Sequence, residues 1–132
     1  MANPNIVNVT AMYGVTTYYT PPGTTAVVLL ANAASSGKIY KINQIIVTNV
    51  DDGTNAVTAT VSIYTNGVGV QGSAPSGGTE YAIASTIPVP ANAWLTVIDK
   101  STSFYLQEGN SIIIRSGVGD KLVFTVSYED IS

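Results

Sequence analysis

The sequence predicts an all-β protein, an antiparallel β-sandwich of jelly-roll type with about eight to nine strands. Three observations carry this expectation. Apolar residues alternate with Thr, Ser or Ala at period two in one segment after another. Turn-forming groups of Gly, Pro, Asn and Asp recur roughly every 10–20 residues. Helical spacing is not sustained anywhere; "LLANAAS", 29–35, has room for a single turn. At 132 residues the chain suffices for one domain, 1–132, around a single core.

The first strand is expected over 5–11 and the second over 15–20. In the second, Tyr18 and Tyr19 put an aromatic on each face, just before the Pro21-Pro22-Gly23 turn. One ring can enter the core, and the other is then exposed or covered by a partner, a common place for an amphipathic tyrosine. A third strand follows over 25–31, and Ser35-Ser36-Gly37 separates it from a fourth over 38–50. Tyr40 and Ile42 are apolar on one parity of that fourth strand, Ile45 and Val47 on the other. A strand cannot change faces without an inserted residue, so a bulge is expected near Asn43-Gln44.

After the Asp51-Asp52-Gly53 turn, the strand 56–66 sets Val57, Ala59, Val61 and Ile63 against Thr58, Thr60 and Ser62. The loop 65–79, "TNGVGVQGSAPSGGT", is glycine-rich, has no charge and is long for a compact domain. It is read either as mobile and exposed or as ordered against a neighbouring subunit. In the strand 79–89, Tyr81, Ile83, Ile87 and Val89 share one parity. In the strand 93–99, Trp94 and Ile98 lie opposite Leu95 and Val97, so both faces are apolar and the strand is expected to be covered twice, by the fold or by a partner. The segments 103–107 and 111–116 form a hairpin around Glu108-Gly109-Asn110. The last strand, 121–129, turns Leu122, Phe124, Val126 and Tyr128 to one side, and Leu122, Phe124 and Val126 are expected in the core.

Charge narrows the functional classes. Charged residues are 10% of the chain, against about 25% in an ordinary soluble domain. The net charge is −3 and the few basic residues do not cluster, which argues against nucleic acid. Such a surface has little repulsion to oppose close packing, so a homo-oligomer is expected, with a trimer favoured. Tyr18, Tyr19 and Trp94 are the candidate interface residues. "MANPNIVNVT" lacks the pattern of a secretion signal and no apolar run is long enough to span a bilayer, so synthesis in a cytoplasm, without a membrane partner, is expected.

The chain contains neither cysteine nor histidine, which removes disulfides, thiolate metal sites and the commonest general base. Two carboxylate constellations remain. Asp99 and Glu108 flank one strand and are weighed as a paired acid site, but both sit in turn contexts where solvated charge is the norm. Asp51-Asp52-Gly53 offers oxygen ligands but lacks the longer calcium-loop pattern, and a plain turn is preferred. No catalytic residue, metal or cofactor is expected.

The passage "PVPANAWLTVIDKSTSFYLQEGNSI" resembles a strand-and-turn pattern of small structural proteins in tailed-bacteriophage virions, of the cyanophage type. "MANPNIVNV", "NAASSGKIYKINQIIVTNVDDGTNA" and "VSYEDIS" are similar as well, so the resemblance covers most of the chain, with a longer loop at 65–79. It implies a non-enzymatic virion component, most concretely a capsid decoration (cement) protein bound to the major capsid protein and located in the virion. It carries no catalytic residue over. Glu108 then reads as a turn residue, solvated or paired with a nearby cation, and Arg115 as a residue at a strand edge. The alternatives are a neck, tail or fibre component, or a carbohydrate-binding module that stacks a sugar on Tyr18, Tyr19 or Trp94.

Overall fold

A computed structural model describes residues 9–51, 53–66 and 69–132. Its strands are β1 (Met12–Tyr19), β2 (Val27–Ala31), β3 (Ile39–Asn49), β4 (Val57–Thr65), β5 (Thr79–Val89), β6 (Trp94–Ile98), β7 (Phe104–Leu106), β8 (Ser111–Ser116) and β9 (Leu122–Ile131). A single 3-10 turn, Lys100–Thr102, links β6 to β7, and the described residues contain no α-helix. One sheet has five strands in the order β1-β9-β3-β6, with β7 also paired to β3; the other has four, in the order β2-β8-β4-β5. Every pairing is antiparallel. First pairs with last (β1–β9), second with second-last (β2–β8), β3 with β6 and β7, and β4 with β5, which is the doubled-back ribbon of a jelly roll.

The core lies between the sheets, and period two puts it there. Leu122, Phe124 and Val126 of β9 are fully buried against Ile42, Ile45 and Val47 of β3 and Val61 of β4. The change of parity in β3 is resolved as expected: the register with β9 slips between Ile42 and Gln44, so residues on both sides of Asn43 face inward. The bulge also marks where β3 exchanges β7, paired at Tyr40–Ile42, for β6, paired at Ile45–Thr48.

Period two fails in "IIIR" of β8, and the reason is tertiary. Ile112 and Ile114 enter the main core, while Ile113 joins Val28 and Tyr64 in a second cluster on the outer face. The described part of the loop after β4 lies over that cluster. Val28 donates its amide to Ser73 O at 2.9 Å and accepts from Gly72 N–H at 2.8 Å. Gly78 N–H donates to the Tyr64 hydroxyl at 2.9 Å. The Gln71 side chain donates to Leu29 O at 3.1 Å. The described part of the loop is thus bonded to its own β2, whose free edge it covers. Residues 67 and 68 lie outside the described set.

Other expectations need correction. Of the strand 5–11, residues 5–8 lie outside the described residues, and 9–11 precede β1 without joining a ladder, though Ala11 and Ser132 exchange backbone hydrogen bonds. The fold does not cover β6 on its second side: the strand ends its sheet, and Trp94 is 64% exposed in the single chain. In β5, Val89 is buried but Tyr81 and Ile87 are exposed, because β5 ends its sheet and two register shifts against β4 break the alternation. Thr86, at φ +48, receives compensation at this irregularity, its amide donating to Thr60 Oγ1 at 3.0 Å.

Candidate functional site

Residues opposite in parity to the core form the outer face of the five-stranded sheet. Register places them in rows: Thr16, Ser127 and Gln44; then Tyr18, Thr125, Ile46 and Thr96; then Val123, Thr48 and Trp94. None of these side chains is charged. Thr16 and Ser127 share a hydrogen bond between their hydroxyls at 3.1 Å. Tyr18 and Trp94 are each 64% exposed. They stand on opposite edge strands, three strand spacings of about 4.8 Å apart, or roughly 14 Å across the sheet.

Tyr19 has the other parity and packs against the core. Its hydroxyl meets Gly72, where a Cβ would lie 2.7 Å away. It therefore anchors the loop over β2 and is only half-exposed. The structure brings Tyr18 and Trp94 to one face and sends Tyr19 to the opposite one.

A pocket of about 610 Å³ opens on the same outer face, lined by Asn43, Gln44, Asp99, Lys100, Ser101 and Ser127. It lies where β3 changes partners and the 3-10 turn bridges β6 and β7. Asp99 builds the turn by capping it: Oδ1 accepts from Ser101 N–H at 2.9 Å and Ser101 Oγ at 2.6 Å, while Thr102 Oγ1 accepts from Asp99 N–H at 3.1 Å. The Ser101 hydroxyl, followed by the Ser101 amide, holds the Asp99 carboxyl below the ordinary carboxylate value. The parity flip at Asn43-Gln44 marked this place in the sequence. Its pairing with a turn fifty-odd positions later had no local signal.

Asp99 and Glu108 do not form an acid pair. They sit at opposite ends of β7, each held by a different turn. Glu108 is half-buried rather than solvated, and its Oε2 accepts from the Gly37 amide at 2.9 Å. This pins the loop after β2 to the β7–β8 turn. Asn32, fully buried, reinforces the junction by donating to Lys38 O at 2.9 Å and Leu106 O at 3.0 Å and accepting from Ser36 Oγ at 2.6 Å. Arg115 is not at an edge: β8 is an interior strand, and the exposed guanidinium meets Glu80 at 3.4 Å. Asp51 uses Oδ1 to accept from Gly53 N–H at 2.9 Å, a turn-forming bond, and Asp52 lies outside the described residues. Among the described residues no group of three potential ligands gathers for a metal, and no helix is long and apolar enough to cross a membrane.

No protein-family model matches the sequence, and no curated protein matches it. Two solved structures align over most of the chain. One is from the crystal structure of the T13 IBDV viral particle, at 11% identity and a TM-score of 0.47, covering 92% of this chain and 30% of that one. The other is from the structure of infectious bursal disease virus Gt strain, at 12% identity and a TM-score of 0.41, covering 93% and 31%. The chain thus spans less than a third of each of those chains.

Proposed function

We propose that this chain is a non-enzymatic structural protein of a bacteriophage virion, most concretely a capsid decoration protein that binds the major capsid protein as a cyclic homo-oligomer. The observation that carries the reading is the run of three uncharged rows across the outer sheet face, from Thr16 to Trp94, with an exposed aromatic on each edge strand. A head-to-tail contact requires two different patches on every copy, and it closes into a ring when the rotation allows. Tyr18 on β1 and Trp94 on β6 supply such a pair, since large aromatics form interface centres and threonines suit the polar rim. A trimer matches the three-fold positions of an icosahedral shell. The strand-and-turn resemblance to phage virion proteins supports the setting. The lack of an acid pair and the use of Asp51, Asp99 and Glu108 in turns support a non-catalytic role.

The test is quantitative mass spectrometry of purified particles. Decoration expects roughly hundreds of copies, set by the lattice, whereas a neck or tail ring expects about a dozen. Absence of the protein from purified particles overturns the reading.

A further inference from the structure

The edge-to-edge contact leaves the middle of the outer face open, and the pocket there has a chemistry of its own. We propose that it is a carbohydrate-binding site that takes a pyranose ring of an oligosaccharide. The inference does not rest on the virion reading, because all six lining residues belong to one copy.

Buried amides elsewhere in the fold are fully engaged: Asn49, like Asn32, donates twice, to Asn55 O and Val89 O, and accepts from the Asp51 amide. The pocket differs. Among the described residues the side-chain amides of Asn43 and Gln44 make no hydrogen bond, Lys100 makes no ion pair, and the bonds to the Asp99 carboxylate all use Oδ1, leaving Oδ2 open. The side chains here are exposed or half-buried, and the backbone that carries them is set by a sheet bulge and a capped turn.

The donor set selects the ligand. Adjacent sugar hydroxyls each donate and accept; an amide answers both, a carboxylate oxygen accepts, and an ammonium donates. A phosphate would need net positive charge, but Lys100 is offset by Asp99. A metal would need more than one carboxylate. Tyr105 of β7, 44% exposed, pairs with Lys41 beside the bulge and shares the outer face. Its ring offers a flat apolar surface to the C–H face of a sugar. The pocket volume lies within the usual range for small-ligand sites, about 300–1,000 Å³.

The experiment is a nuclear magnetic resonance titration of the 15N-labelled full chain. The probes are di- and trisaccharides of glucose, galactose, mannose and N-acetylglucosamine, a galacturonate trisaccharide, and inorganic phosphate as the ionic control. For at least one saccharide, shifts are expected at the amides of residues 43, 44, 99–101 and 127, with a Kd of order millimolar. Gln44→Ala should weaken that binding about tenfold, the loss of one well-made hydrogen-bonding group, without moving the thermal midpoint. Trp94→Ala, which leaves the lining intact, should not weaken it. The proposal is overturned if no saccharide shifts these amides at about 10 mM, some tenfold above the expected Kd. It is also overturned if phosphate binds there in preference, or if Trp94→Ala abolishes binding that Gln44→Ala spares.

Discussion

At the scale of single residues, what matters is which polar groups the fold engages and which apolar ones it seals. Phe124 is fully buried between the sheets, so Phe124→Ala removes a ring from a packed interior and should cost about 3–5 kcal/mol in chemical denaturation. A loss below about 1 kcal/mol would show that the core does not depend on this side chain. Asp99 is a different kind of residue, fully exposed yet hydrogen-bonded to Ser101. Its folded pKa is depressed, so its contribution to stability is present above the unfolded pKa and is lost as pH falls through the folded value. Carboxyl 13C shifts should therefore show Asp99 titrating below the ordinary 3.8, and Ser101→Ala should raise its midpoint. A midpoint that Ser101→Ala leaves in place would remove the hydroxyl as the cause.

At the scale of elements, the loop after β4 acts as a cover strip. It satisfies the edge of β2 and buries Val28, Ile113 and Tyr64. Gly72 is one of its tight points and lies in the left-handed region: φ is +88, and a Cβ would sit 2.7 Å from the Tyr19 hydroxyl. Gly72→Ala thus combines a left-handed backbone with a steric conflict, and should cost about 1–3 kcal/mol. Hydrogen exchange at the Val28 amide, bonded to Ser73 O, should accelerate in that variant. Unchanged exchange would mean that the loop does not protect the β2 edge.

At the scale of the whole molecule, the free face carries its aromatics on opposite edges, and the proposed ring makes a distinctive prediction. Light scattering at micromolar concentration should find a species of three times 13.7 kDa. Tyr18→Asp or Trp94→Asp alone should dissociate it, since burying an unpaired carboxylate costs several kcal/mol, on the order of 3 or more. An equimolar mixture of the two single variants should recover a dimer, because the first copy keeps an intact Trp94 edge and the second an intact Tyr18 edge. A clean 13.7 kDa species for the unaltered chain would refute self-assembly in solution. A mixture that stays monomeric would refute the head-to-tail geometry.

Local pattern determined much of this protein. Period two announced the strands β4 and β9 and the inward face of β9, though in β4 Thr60 and Ser62 are buried as well; the turn residues announced the connections, and the parity flip at Asn43 announced the bulge. Each of these signals depends on residues a few positions apart, where backbone geometry alone relates side chain to face. The resemblance named a class of protein but no site. What tertiary structure decided was how distant segments meet. Three consecutive isoleucines in β8 are ambiguous until a loop some forty residues earlier is seen to cover the second face. Both apolar parities of β6 left cover by the fold or by a partner open; the fold leaves Trp94 exposed on a strand that ends a sheet, and strand order is not a local property. Glu108 belonged in a turn, but not in the expected hairpin: β7 and β8 lie in different sheets, and its engagement with Gly37 joins two loops seventy-one positions apart. The pocket too is assembled from a bulge, a capped turn and the far strand β9, and only long-range pairing could bring those three together.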